Sequence, residues 1–297
     1  MATLKHVRMK IKGIKKTKQI TKAMNMVAAS RLRGAQQRMS AFRPYANKFA
    51  EVLSSLAERA SEGVSSLIEE RETVNTINIV LCTSDRGLCG GFNSNLISKA
   101  EALISEKAKN GAEISFTCFG KKGRDWCKRN SMKIRKSHIG VVGTKFNFNI
   151  ASTEGRSLID DFLIGNYDEV YVIYSEFISM AKQIPVLKKL LPIPPIESEE
   201  KKITAEESKF LPEHICEPSP QELMEELLPK NVYIQLHKAL LETSTSEHAA
   251  RMYTMDNATK ACNDMVNNLT LLLNKARQSA ITAELMDIVG GAEALKG

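Results

Sequence analysis

The feature that most limits how this chain can fold is a repeat of apolar residues at alternating steps of four and three. It runs through Ala35, Met39, Phe42, Ala46, Phe49, Leu53 and Leu56. The same stepping returns near the other end, through Ala258, Cys262, Met265, Leu269, Leu272 and Ala276. A mean spacing of about 3.5 residues is a coiled-coil seam rather than a globular amphipathic face. Upstream, Leu4, Val7, Ile11 and Ile14 carry the stripe, and Ile20, Met24 and Val27 restart it after a phase slip. Pro44 is unfavourable inside a helix, but the stripe keeps its phase through it, so a bend rather than an end is expected. The pattern predicts one helix from about Leu4 to Leu56, a rod of roughly 75–80 Å at ~1.5 Å per residue.

The second helical pattern runs from Pro220 to about Val289. Ser219 is placed to cap it, Pro220 to be its first residue and Glu222 to sit in its first turn. Neither helix is stable alone in water without a partner for its stripe. The two are therefore expected to wind together as an antiparallel coiled coil. Between them the period changes. Runs at 76–83, 113–120 and 168–177 read as strands, a weaker one as "MKIRKSHI", and "QIPVLKKLLPI" as an edge strand that tolerates proline. Helices are expected from about Ser94 to Lys109, at "RDWCKRN" and at "STEGRSLIDDFLIGN", the last capped by Ser152 or Thr153. Strands alternating with helices predict a Rossmann-like α/β domain with a mostly parallel sheet. The expected organisation is a helix over 1–60, the α/β domain over 75–195, an exposed loop or foot over 196–219, and a helix over 220–297.

Charge is distributed as unevenly as the stripes are regular. Residues 1–50 hold thirteen Lys or Arg and no Asp or Glu. The 297-residue chain has a net charge of +8, so the rest of it is net acidic. Such a block meets an anionic partner: nucleic acid, lipid headgroups or an acidic protein surface. Residues 1–41 contain no aromatic side chain to stack on bases. Met24, Met26, Ala28 and Ala29 are poor membrane anchors, but a Met/Ala surface suits adaptive contact with protein. No secretory signal is expected at the N-terminus, and reduced thiols are expected for the six cysteines, none in a CxxC pair.

The one string that invites a ligand is "SDRGLCGGFN" (84–93), a Gly-rich turn between a strand and a helix. It matches neither phosphate-binding pattern, and Gly87, Gly90 and Gly91 are read as serving tight backbone geometry at a sheet edge. The five histidines share no metal-ligand spacing. Asp160–Asp161 and Glu199–Glu200 read as solvated surface. No catalytic constellation and no cofactor site are expected.

"KGIKKTKQITKAMNMVAASRLR", "RPYA" (43–46), "SDRGLCGGFN", "SEHAARMYTMDNAT" (246–259) and "LLLNKARQSAITAELMDIVGGAEAL" occur in that order along the chain. Together they resemble the gamma subunit of the bacterial-type rotary ATP synthase. The resemblance implies a non-catalytic rotor: an antiparallel coiled coil inside a ring of alternating alpha and beta subunits. It implies an α/β domain resting on the membrane c-subunit ring with the epsilon subunit. By the family pattern Lys18, Lys22 and Met24 face the lower rim of the beta subunits, and Arg277, Gln278 and Thr282 touch a beta-subunit loop higher up. Glu217 matches the foot that meets the membrane ring, although Cys216 stands where many relatives have an aromatic. The implied location is peripheral, at the cytoplasmic face of the bacterial membrane. The loop at 196–210 lacks the cysteine pair of the plant chloroplast form, so its redox switch is not expected. The alternative reading of the basic coiled coil is a nucleic-acid-binding protein.

Overall fold

The computed structural model describes residues 4–57, 65–71, 73–108, 111–194, 217 and 219–294. The expected loop at 196–210 and Cys216 lie outside the described residues. The chain divides into two compact units, residues 29–250 and residues 1–28 with 251–297. The elements are α1 (Leu4–Ala57), β1 (Thr76–Cys82), α2 (Phe92–Ala108), β2 (Glu113–Phe119), α3 (Lys121–Arg129), β3 (Lys133–His138), α4 (Phe148–Ile164), β4 (Glu169–Phe177), β5 (Gln183–Leu191) and α5 (Pro220–Ala294). α1 continues through Pro44 and α5 through Pro229. Ser219 caps α5: its hydroxyl accepts from the Glu222 amide and donates to the Glu222 carboxylate.

In the larger unit the five strands lie in the order β3-β2-β1-β4-β5. β1 pairs in parallel with β2 and β4, and β2 with β3. β5, with Pro185, is the edge strand that the sequence predicts, and it pairs with β4 in the antiparallel sense. Alternation along β1 explains its near-continuous apolar run. Ile77, Ile79 and Leu81 join one cluster with Phe92, Leu96 and Leu103 of α2 and Trp126 of α3. Val80 and Cys82 join another with Leu158 and Phe162 of α4, Leu53 and Leu56 of α1, and Val232 and Leu236 of α5. Asn78 is wholly buried on that second face. Its amide donates to Ser115 Oγ, and Thr117 Oγ1 donates to its carbonyl, so its polar atoms are matched.

Two expectations are corrected here. α4 begins at Phe148 with Asn147 as N-cap, not at Ser152 or Thr153, because Phe148 packs edge-on against His237 at 5.2 Å. Asp161 is not free surface, for it accepts from Arg135 Nε at 2.7 Å and from Asn166. That bond belongs to a clasp between α4 and the edge strand β3. Glu154 is fully buried and meets Arg135, Lys136 and His138. Burial alone would raise its pKa, but the bonds from His138, Lys136 and Arg135 outweigh it and hold the carboxyl near 2. β3 offers little apolar surface, so charge rather than hydrophobic area fastens this edge.

α5 carries the most unexpected stretch. Every residue from Ala239 to Ala250 is buried, though seven consecutive ones, from Glu242 to His248, are polar. Small side chains let the helix approach the sheet closely, and three of the four hydroxyls in the run find backbone carbonyls. Thr243 and Thr245 donate to the carbonyls of Ala239 and Leu241. Ser246 donates to the Ser175 carbonyl of β4, and Glu242 accepts the Phe177 amide at 2.9 Å. One turn earlier His237 lies among the rings of Phe42, Phe146 and Phe148. Burial pushes it down from 6.5 to about 4.

Two outcomes are expected. Glu154→Gln removes the buried carboxylate that Arg135, Lys136 and His138 share, leaving Arg135 with Asp161 alone, and should cost ~1–3 kcal/mol in urea unfolding. In the unsubstituted chain the Glu154 contribution is present above its ordinary 4.5 and is lost as pH falls towards 2. His237 acts in a separate window. The unfolded chain protonates this ring near pH 6.5 while the folded chain resists to about 4. Stability present above pH 6.5 should therefore fall, by on the order of 3 kcal/mol, as pH drops to 4. His237→Leu should flatten the pH dependence of unfolding in that window, and an unchanged slope would refute the assignment.

Candidate partner-contact surface

The smaller unit contains residues 4–28 of α1 and the C-terminal part of α5, beginning at Arg251. Two hydrogen bonds show that the helices run antiparallel here: Thr21 meets Thr259 at 2.8 Å, and Asn25 Nδ2 donates to the Met252 carbonyl at 2.9 Å. The inward stripe of α1 is Leu4, Val7, Ile11, Ile14, Lys18, Thr21, Met24 with Asn25, and Ala28. Its steps of three and four never break, so the expected phase slip is absent. Polar Lys18, Thr21 and Asn25 fill the stripe where the sequence suggests a slip, and Ile20 and Val27, 59% and 55% exposed, point outward.

The stripe of α5 also takes another phase. Met255, Cys262, Val266, Leu269, Leu273, Ala276 and Ala280 are turned inward, stepping by 4, 3, 4, 3, 4 from Cys262. Met265 and Leu272 lie outside it, each 53% exposed. Leu269 is half-buried, as expected, and Leu272 is not buried. Consecutive leucines at 271–273 make both phases readable in the sequence, and only the partner helix decides between them.

The residues implied by the family resemblance fall into distinct environments. Lys22 is exposed, whereas Lys18 and Met24 are half-buried in the stripe. Arg277, Gln278 and Thr282 are exposed, with Thr282 Oγ1 donating to the Gln278 carbonyl at 3.0 Å. Glu217 is exposed and belongs to neither helix. Among the described residues, none of the Lys and Arg side chains from Lys5 to Lys22 makes an ion pair, whereas Arg43 and Lys48 meet Glu242 and Glu51. The cationic face of residues 5–22 therefore keeps its charge available.

The sequence reading passed over the end of α5. Every residue from Ile281 to Glu293 is exposed. Ile281, Leu285, Met286, Ile288 and Val289 present large apolar side chains, Met286 being 68% accessible. Antiparallel pairing leaves nothing of residues 4–28 opposite them. The signal was available: fewer residues of α1 than of α5 enter this unit.

The turn at 84–93 lies at the C-terminal end of central β1, not at a sheet edge as expected. It sits where the strand order reverses between β1 and β4, the usual ligand position of such sheets. Here the chain fills that position itself. Asp85 accepts from the amides of Lys121 and Gly140. The other first-turn amides of α3 bond Ser84 O, Thr83 Oγ1 and Gly120 O. Gly120 has φ of +105°, and a Cβ there would lie 2.2 Å from the Thr83 carbonyl, so the close approach demands glycine. Of the three glycines in the turn only Gly90 has positive φ, and Leu88 shares it.

Among the described residues no group of three His, Cys, Asp or Glu side chains could hold a metal ion. The five described cysteines are free and buried. No helix among the described residues is long and apolar enough to cross a membrane.

A family model described as ATP synthase matches residues 3–295. The ATP synthase gamma chain of Desulfosudis oleivorans is 64% identical over all of both chains. That of Desulforapulum autotrophicum is 58% identical, over 99% of this chain and all of its own. A chain of the Euglena gracilis mitochondrial ATP synthase rotor superposes with a TM-score of 0.63 at 17% identity, covering 94% of this chain and 98% of its own. A chain of the Tetrahymena thermophila mitochondrial central stalk and c-ring gives 0.56 at 25% identity, covering 80% and 99%.

The revised stripe is testable. Leu273→Ala should lower the unfolding free energy by ~1–3 kcal/mol, toward the low end of the cost for a buried leucine because this one is half-covered. Leu272→Ala should stay within ~0.5 kcal/mol. Equal losses in urea unfolding would return the seam to Leu272.

Proposed function

The chain belongs to the ATP synthase gamma chain family, and from that premise we propose that it couples ion flow through a membrane ring to conformational change at catalytic beta subunits. It is a non-catalytic central-stalk subunit. Its partners are the alpha, beta and epsilon subunits and the membrane c-subunit ring, and its place is peripheral, on the cytoplasmic face of the bacterial membrane.

The observation that carries this reading is the pair of unpartnered surfaces in the smaller unit. A rotor makes and breaks no covalent bond. It acts through contacts whose energy changes with angle, so its surface must differ from side to side. The unpaired cations of α1 lie on one helix, and the apolar stretch 281–293 lies on the other. Cations without carboxylates of their own fit acidic loops at the lower rim of a beta subunit, with Lys22 the exposed member and Lys18 and Met24 at the edge of the stripe. Arg277 offers a planar five-donor fork, and with Gln278 and Thr282 it suits carbonyls and carboxylates of a beta-subunit loop higher on the shaft. The apolar end suits a surrounding protein surface that changes its contacts as the helix turns. Glu217, exposed outside both helices, serves at the foot against the ring.

Lys22→Glu places a carboxylate on the cationic face at an exposed position, so folding should change by no more than ~0.5 kcal/mol. ATP-driven proton pumping by the reconstituted complex should fall, and unchanged pumping would sink the assignment. Arg277→Ala with Gln278→Ala should lower steady-state ATP hydrolysis at equal subunit stoichiometry while leaving the helical circular-dichroism signal alone. Wild-type turnover would place the grip elsewhere on the shaft. Copurification of alpha and beta subunits with the tagged chain tests the whole reading.

A further inference from the structure

Between Ile14 and Leu32 the inward stripe of α1 contains no large aliphatic residue, only Lys18, Thr21, Met24 with Asn25, and Ala28. Apolar knobs elsewhere in the coil set its register by shape. In this window that steric definition is weak, because small or flexible side chains fit a neighbouring turn nearly as well. Two polar contacts stand here instead. Thr21 is 9% exposed and meets Thr259 across the interface at 2.8 Å, and Asn25 Nδ2 donates to the Met252 carbonyl at 2.9 Å.

We propose that Thr21, Asn25 and Thr259 form a register lock, which fixes the axial phase of α1 against α5. Thr21 Oγ1 lies 3.0 Å from the Lys18 carbonyl and Thr259 Oγ1 2.8 Å from the Met255 carbonyl. Two hydroxyl protons serve three contacts, so the bond across the interface forms when one threonine donates to the other and only the second donates to its own carbonyl. If both donated to their own carbonyls, two hydroxyl oxygens would face each other at 2.8 Å without a proton between them, which disfavours that arrangement. Sliding by one turn, ~5 Å, would separate the hydroxyls and leave partly buried polar groups facing apolar neighbours. A polar group at a seam position selects one register at a cost in stability. These are positioning residues: they hold Lys22 on α1 at a constant offset from Arg277 and Gln278 on α5. That use rests on the stalk reading, whereas the lock itself does not.

The test uses the full chain with Cys216→Ser and spin labels on exposed Lys10→Cys and Lys260→Cys, which are offset along the helix axis so that axial sliding changes their separation. With the lock intact, the inter-label distance distribution should be single and narrow. In Thr21→Val with Asn25→Leu it should broaden or gain a population displaced by a few ångströms, as a slide of one helical turn, ~5 Å, requires. The thermal midpoint should hold or rise, because apolar side chains replace polar ones in the seam. Thr21→Ser, which keeps the hydroxyl, should retain the narrow distribution. An unchanged distribution in the double variant overturns the lock. So does a fall in thermal midpoint with loss of helicity, since the contacts would then hold the pair together rather than select its register. In the reconstituted complex the double variant should pump fewer protons per ATP hydrolysed. If even the unsubstituted chain fails to copurify with alpha and beta subunits, the stalk reading falls, and the distance measurement still decides the lock.

Discussion

The structure depends on one constraint: each long helix carries a stripe that water does not tolerate, and the chain must supply most of its cover. Helix propensity alone does not hold helices of 54 and 75 residues. Within the larger unit, the sheet and α4 share this task with the facing parts of α1 and α5. Among the described residues of the smaller unit, the two helices have only each other. This difference explains why burial is deep in one and shallow in the other. From Ala239 to Ala250 α5 is covered on all sides, so even serine and threonine become interior residues. Beyond Arg251 the same helix has one neighbour, and leucines on its far side remain wet.

Much of this arrangement is legible in the sequence because it rests on period. Steps of three and four announced both helices, and β-branched runs announced the strands. Proline in "QIPVLKKLL" marked the edge strand, and Ser219 with Glu222 marked the start of α5. What failed rests on partners. A stripe scored by hydrophobicity cannot include Lys18, Thr21 or Asn25, so a continuous seam looked interrupted. Three consecutive leucines at 271–273 satisfied two phases, and the choice between them belongs to α1. The polar run Glu242–His248 looks like surface until β4 supplies the carbonyl and amide that it bonds. The half-buried environments of Lys18 and Met24 belong to the partner helix and could not be read from the sequence.

The sheet shows the same principle in reverse. Its strand order and the turn after β1 reproduce the layout in which many proteins hold a phosphate. Asp85, Ser84, Thr83 and Gly120 instead tie this turn to the first-turn amides of α3, the helix that follows β2. The architecture thus serves as a rigid body, and its anion-binding geometry is spent on closing its own loops. Charge performs a related structural task at β3, where Glu154 and its cations fasten a strand too polar to be held by burial.

The bare end of α5 has a consequence for how a cell must make this chain. Ile281, Leu285, Met286, Ile288 and Val289 lie along one stretch without cover from the other described residues. Exposed apolar surface of this kind invites association with whatever hydrophobic surface arrives first. Every copy made in excess of the chains that cover it is a seed for aggregation. Synthesis of this subunit must therefore be matched in number and in time to that of its partners, and the last turns of one helix set that demand.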